Sequence, residues 1–344
     1  MNKKKFIIYF FILLTILLLF IFKKRNTYNL SSNQYILPSN AREVVKFENF
    51  IYYIVDNNLF TEIISINILN AEHKPLYRDN TNDNKEIIEL YAIHNHLIWV
   101  ERSPHNEWEI IMYGIFSKEK TVIRSFEQSN KSIIPTCLNV NNSFIVWYES
   151  LYNEISEDLV EKLIIYDISK NKIESINVDL LGNPYLRPYI VENYVSYITR
   201  IEQEYSINIY NLITGNIVMI ECVSNVSKLM SNSKFTVWID DYDYRNIHFY
   251  NHEVKSYSKI DGSLNLYTFV LIDSIIYISY IEDMSGYANI YSYNLENNEF
   301  KNITKNNNKN IYYYISKPTN DGTFMYQEIG KDHTYLVLTN IGQK

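Results

Sequence analysis

The chain has 344 residues, with 32 Tyr, 16 Phe and only 8 Gly, and its many aromatic and Ile side chains suit pleated, half-buried surfaces. Six of the 32 basic residues stand before residue 27 and none of the 39 acidic ones, so the rest carries a formal −13, which argues against nucleic acid and against an anionic membrane surface as partners. Cys137 and Cys222 lie 85 residues apart with no metal-ligand spacing around either, and both read as buried thiols.

In chain order, the first element is a basic tail at 1–5 followed by seventeen apolar residues from Phe6 to Phe22, broken only by Thr15 and followed by Lys23, Lys24 and Arg25. As a helix this run is about 25 Å long, at the short end of what crosses a bilayer. Leu19, Phe20, Ile21 and Phe22 are bulky where a signal peptidase needs small residues, so the run reads as an uncleaved transmembrane signal anchor at 6–22. Basic flanks tie on the two sides; the short tail and the large remainder favour the N-terminus inside and the rest outside the cytoplasm, a single-pass cell-membrane protein. Residues 23–32 read as a linker.

The remainder, 33–344, repeats. A short apolar run ending in an aromatic recurs as FIYY, HLIW, FIVW, YVSY, FTVW, YISY and TFMY, ending at Tyr53, Trp99, Trp147, Tyr197, Trp238, Tyr280 and Tyr326, with spacings of 46, 48, 50, 41, 42 and 46. A second strand follows each, ending in a turn former at Asn67, Gly114, Asp167, Asn211, Asn251, Asn294 and Asn340, with spacings of 47, 53, 44, 40, 43 and 46. Gly, Asn and Asp tolerate positive φ, and Asx side chains bond the backbone two residues on, so each ends a strand and opens a turn. A third run begins after the turn, as in KIESINV, NIVMIEC and EFKNIT, and another strand precedes each aromatic run, as in SIIPTCL, YLRPYIV and NLYTFVL. Four strands in about 45 residues, seven times over, predict an all-β, seven-bladed β-propeller of four-stranded blades behind the N-terminal transmembrane helix. The last blade lacks its outer strand, which Gln34–Leu37 can supply to join the ends of the ring.

The repeat, a proline and polar turn, an apolar strand ending in an aromatic, then a strand ending in Tyr-Asp or Tyr-Asn, resembles the TolB-like propeller family. KPTNDGTFMYQE from Lys317 to Glu328 matches best, and Pro135 and Pro188 stand in the corresponding place in blades three and four. The family's Ser-Pro-Asp-Gly turn is intact nowhere. Peptidases resembling this propeller carry a separate hydrolase domain, for which the expectation is that no residues remain here.

Candidate site residues follow from the loop after each aromatic, which the repeat places on one face. Asp56, Glu101, Glu149, Arg200, Asp240, Asp241, Glu282, Asp283 and Glu328 stand there, with Asp243 extending the group in blade five. Converging carboxylates suit a basic ligand or a hard cation such as calcium, with Asp240, Asp241, Asp243, Glu282 and Asp283 as its metal ligands, or else they are charges on a solvated rim. Trp108 in blade two, near Glu101, reads either as a ligand platform or as the first residue of the next strand, packed between blades. His94 and His96 share a face if extended but have no third ligand nearby, and read as a solvated turn. The loop from Ser150 to Lys162 is the largest insertion, either a short helix capped by Ser156 or an extended hairpin. No Gly-x-Ser-x-Gly elbow, His-Glu-x-x-His or P-loop is present. The expectation is therefore an extracytoplasmic, monomeric binding or scaffolding propeller that holds a protein, peptide or glycan; the alternative is a surface lyase or glycosidase acting from the acidic ring.

Overall fold

The structure, a computed structural model, describes residues 32–340 except 58–59, 79–84, 104, 106, 127–136, 154–157, 180–186, 202–203, 223–225, 241–245, 262–264, 282–287, 307, 309, 318, 320–322 and 332. The anchor expected at 6–22 lies outside the described residues, among which no helix is long and apolar enough to cross a membrane.

The chain opens with β1 (Ser32–Leu37), followed by blade one, β2 (Ala41–Phe47), β3 (Phe50–Asp56), β4 (Thr61–Asn67) and β5 (Glu72–Arg78). Blade two is β6 (Glu86–Ile93), β7 (His96–Arg102), β8 (Trp108–Gly114) and β9 (Lys120–Phe126), and blade three is β10 (Asn139–Val140), β11 (Phe144–Asn153), β12 (Asp158–Asp167) and β13 (Lys172–Val178). Blade four is β14 (Tyr189–Val191), β15 (Tyr194–Ile201), β16 (Glu204–Asn211) and β17 (Ile217–Cys222); blade five is β18 (Val226–Ser231), β19 (Phe235–Asp240), β20 (Asn246–Asn251) and β21 (Ser256–Asp261). Blade six is β22 (Asn265–Ile272), β23 (Ile275–Ile281), β24 (Ala288–Asn294) and β25 (Glu299–Asn302), and β26 (Tyr312–Ile315), β27 (Thr323–Ile329) and β28 (Thr334–Asn340) complete the set. They form seven four-stranded antiparallel sheets. The seventh has the order β1-β28-β27-β26 and pairs Ser32 with Thr339 through to Leu37 with Thr334. The N-terminal strand thus closes the ring, covering an edge that would otherwise invite another chain.

Every repeating aromatic lies in the second strand of its blade, which has sheets on both sides. That is why these strands are apolar without alternation: β3 is buried from Ile51 to Val55 and β7 from Leu97 to Glu101. Outer strands such as β5 are largely exposed. The core consists of layers between blades rather than one centre. Tyr52 and Ile54 of blade one meet Leu90, Leu97 and Trp99 of blade two, while Tyr35, Leu37 and Leu338 of the closing blade meet Ile51 and Tyr53 of the first.

The Asx turns form as their chemistry requires. Asn67, Asn211, Asn251 and Asn294 each accept, on Oδ1, a backbone N–H from two residues on at 2.8–2.9 Å. Of the two readings of the long loop of blade three, the extended hairpin is the one that forms, since β11 and β12 stay in register from Phe144–Asp167 out to Asn153–Asp158; a second expectation is corrected. The inner strands of blades three and four are shorter than SIIPTCL and YLRPYIV suggest, beginning only at Asn139 and Tyr189. In blade four the cause is Pro188, which has no N–H to give a ladder and holds Arg187 outside the sheet.

Candidate functional site

The seven innermost strands surround a channel of about 1120 Å³, lined from every blade by their side chains or by residues next to them. Its mouth is set by the turns between first and second strands, including Asn141–Ser143, Asn232–Lys234 and Asp273–Ser274. Four of the inner strands break register against their neighbours, between Arg42 and Val45, Ile87 and Leu90, Val226 and Lys228, and Leu266 and Thr268. A β-bulge re-aims the side chains beside it, and these four fall at or next to Glu43, Glu89, Lys228 and Thr268. Glu43 takes a left-handed φ of 51° at its bulge. Polar groups in an otherwise apolar strand therefore reach the axis without disturbing the layers between blades.

Around the axis they form a linked set. Arg187 donates to Glu89 at 2.6 Å and to the Tyr91 hydroxyl at 2.9 Å. Glu89 also accepts the backbone N–H of Leu138 at 2.9 Å, and Tyr91 donates to the Leu138 carbonyl. Blades two, three and four are thereby tied across the ring. Lys317 pairs with Glu43 at 2.5 Å, donates to the Leu90 carbonyl at 3.1 Å and lies 3.8 Å over the Tyr91 ring, joining blade seven to blades one and two. Burial pushes the Glu89 carboxyl above the usual carboxylate range, against the pull of Arg187 and Lys317. Burial acts the same way on Glu43, but Lys317, with Arg187 and Arg42, outweighs it and the group is lowered.

Lys228 is the exception. It donates to Thr268 Oγ1 at 2.5 Å and lies 5.0 Å over the Phe269 ring, with no carboxylate within ion-pair distance among the described residues. Its side chain opens onto the lumen yet sits deep in the protein, and burial followed by the charge of Arg187 pulls its ammonium down to about 7. Ser316, only 5% exposed, also lines the channel, and its hydroxyl has no hydrogen-bond partner among the described residues.

Those of the loop residues read as ligands from the sequence that the structure describes are not among the residues lining this channel. Trp108 is the first residue of β8 and 3% exposed, stacked on Phe126 with 4.3 Å between ring centroids. It takes the packed position of its two readings and offers no open platform. Glu101 is 1% exposed and accepts the Trp99 indole N–H at 2.9 Å, the Tyr77 hydroxyl at 2.9 Å and Lys120 at 2.7 Å. Glu149 repeats the arrangement in blade three, taking the Trp147 indole at 2.9 Å and Arg124 through two bonds of 3.1 Å. Asp56 is held below the usual range, chiefly by its bond to Arg42. In blades one to three these carboxylates therefore have cations of their own chain. Arg200 lies over the Tyr205 ring, and Glu328 faces Tyr313 across the β26–β27 pair. Asp241, Asp243, Glu282 and Asp283 lie outside the described residues, as does the side chain of Asp240. Among the described residues no group of three metal-ligating side chains occurs.

The channel set, Glu43, Glu89, Arg187, Lys228 and Lys317, escaped the sequence reading, which searched the loops. A signal was there: AREVVKF, EIIELYAI and VSKLMS each place charge inside an apolar inner strand.

No protein-family profile matches the sequence, and no curated protein does. Solved structures of the same fold do. The propeller domain of the trilobed protease from Pyrococcus furiosus, which has an open velcro topology, superposes with a TM-score of 0.63 at 11% identity, over 88% of this chain and 94% of that one. An acylaminoacyl peptidase gives 0.62 at 9% identity, over 88% of this chain and 51% of the peptidase. An oligogalacturonate lyase in complex with manganese gives 0.60 at 10%, over 91% and 95%. At these identities the likeness is one of fold.

Proposed function

We propose that this chain is a TolB-like binding propeller, tethered to the cell membrane through residues 6–22 with the propeller outside the cytoplasm, that holds a protein, peptide or glycan partner at the mouth of its channel. The observation that carries the reading is the channel itself, toward which four inner strands bend beside Glu43, Glu89, Lys228 and Thr268. A polar, partly enclosed concavity with a few converging charged groups suits ligand recognition. The Trp99–Glu101 and Trp147–Glu149 units, by contrast, are satisfied by their own and the preceding blade and leave little for a ligand.

Site-specific photo-crosslinking in intact membranes tests this. A photoreactive residue at Asn142 or Asn232, on the mouth, is expected to trap a discrete partner, and one at Val122 or Glu174, on outer strands, is not. Equal trapping from both sets would count against a site at the channel. Turnover of a polysaccharide by the purified chain would replace the binding reading with an enzymatic one.

A further inference from the structure

We propose that the channel contains a site for a single carboxylate group of the ligand, formed by Lys228, Thr268 and Ser316, with Arg187 behind it. The inference rests on the binding reading above and specifies the chemistry that the channel recognises.

Charge pairing around the axis supports it. Away from the mouth, the described charged groups are the cations Arg187, Lys228 and Lys317 and the carboxylates Glu89 and Glu43. The carboxylates are committed, Glu89 to Arg187 at 2.6 Å and Glu43 to Lys317 at 2.5 Å. Lys228 has instead a hydroxyl and an aromatic face. Among the described residues this positive charge has no counter-ion, in a place where low dielectric makes that costly. The groups shown against Lys228 are the neutral Thr268 and Phe269 of β22 and the cationic Arg187 of blade four, none of them an anion.

The second observation is independent. Ser316 lines the same lumen, and its hydroxyl, buried beneath the channel surface, has no partner among the described residues. A carboxylate has two oxygens, each able to accept more than one hydrogen bond, and can take the Lys228 ammonium and a hydroxyl at once. The lowered affinity of Lys228 for its proton agrees: a cation held down by burial and by Arg187 regains the proton when an anion arrives. Lys228 is the one cation of this inner group that has no carboxylate among the described residues, which suits a single carboxylate group. Glu192 and Asp273 line the channel near its mouth, and Lys234 there is paired with Glu296 at 3.1 Å, so a dianion meets repulsion on entry.

The test uses the full-length chain in neutral detergent with ¹³Cε-labelled lysine, titrated at pH 6.5 with acetate, N-acetylglycine and sulfate. The carboxylates are expected to shift the Lys228 resonance saturably and to raise its titration midpoint. Lys228→Met should weaken their binding at least tenfold, and Ser316→Ala severalfold. Sulfate should bind at least tenfold more weakly than N-acetylglycine. A resonance that does not respond, binding that survives Lys228→Met, or equal affinity for sulfate would each overturn the site. Melting curves control for folding, and Thr268→Val with Ser316→Ala decides the matter if Lys228→Met does not fold. Partner cross-linking from Asn142 and Asn232 that persists without carboxylate binding would remove this inference and leave the binding reading intact; loss of position-specific cross-linking would remove the latter.

Discussion

Replacing Arg187 with Met removes the bond that holds blade four to blade two. The guanidinium makes two charge-assisted contacts, 2.6 Å to Glu89 and 2.9 Å to Tyr91. Without it, Glu89, 5% exposed, keeps the Leu138 N–H at 2.9 Å as its one direct hydrogen bond among the described residues. Leaving a buried carboxylate without its cation costs about 3–5 kcal/mol. In the double variant Arg187→Met/Glu89→Gln the amide oxygen still accepts from Leu138 and no charge is stranded, so the cost falls to about 1–2 kcal/mol. The double variant should therefore be about 2–3 kcal/mol more stable than Arg187→Met alone, and Glu89→Gln completes the cycle, all readable from urea midpoints of the full-length chain at pH 7.5 if the m-value is unchanged. The penalty of the single variant should shrink at pH 5, because burial already raises the Glu89 carboxyl and loss of Arg187 raises it further, so the group neutralises itself. A single-variant cost under about 1 kcal/mol, or additivity within about 0.5 kcal/mol, would show that water screens the pair and that the tie between blades is not structural.

Three further outcomes follow from the same structure. Lys228 loses its proton at about 7 in the folded chain and near its ordinary value of 10.5 when unfolded; between these the unfolded state binds more protons, so stability rises with pH. Lys228→Met should flatten that rise, and the variant's advantage at pH 6 should narrow by about 1–3 kcal/mol at pH 9; parallel pH profiles would contradict the burial of this ammonium. Gly215 takes a φ of 72° with open space around it, while Ala71 holds 55° in the corresponding turn of blade one. Gly215→Ala should cost about 1 kcal/mol and Ala71→Gly should be neutral or stabilising by up to about 1 kcal/mol, measured by thermal melting; the opposite order would refute the turn assignment. Trp108→Ala should cost about 3–5 kcal/mol as a core deletion, and a loss under about 1 kcal/mol would return that indole to the surface.

The architecture was largely legible in the residues. A strand with a sheet on both sides must be apolar on both faces, and a turn needing positive φ takes Asn, Asp or Gly, so Tyr53 to Tyr326 and Asn67 to Asn340 mark seven blades whatever lies between them. Even the closure by β1 could be read, because a blade one strand short has a single available donor. The site was not legible for the opposite reason. Period-2 alternation presumes an unbroken ladder, and the bulges at Glu43, Glu89, Ser227 and Tyr267 change which way a side chain points without changing the composition of the strand. Glu101 and Glu149 show the converse: from the sequence they are acids at strand ends, and only the packing of neighbouring strands brings Lys120 and Arg124 beside them. The sequence by itself determined the number, order and closure of the blades, since these follow from local pattern and repeat. Tertiary structure alone decided that Arg187 meets Glu89 ninety-eight residues away while Lys228 meets Thr268 and no carboxylate among the described residues, because a ring brings distant segments to one axis and charge pairing depends on distance in space.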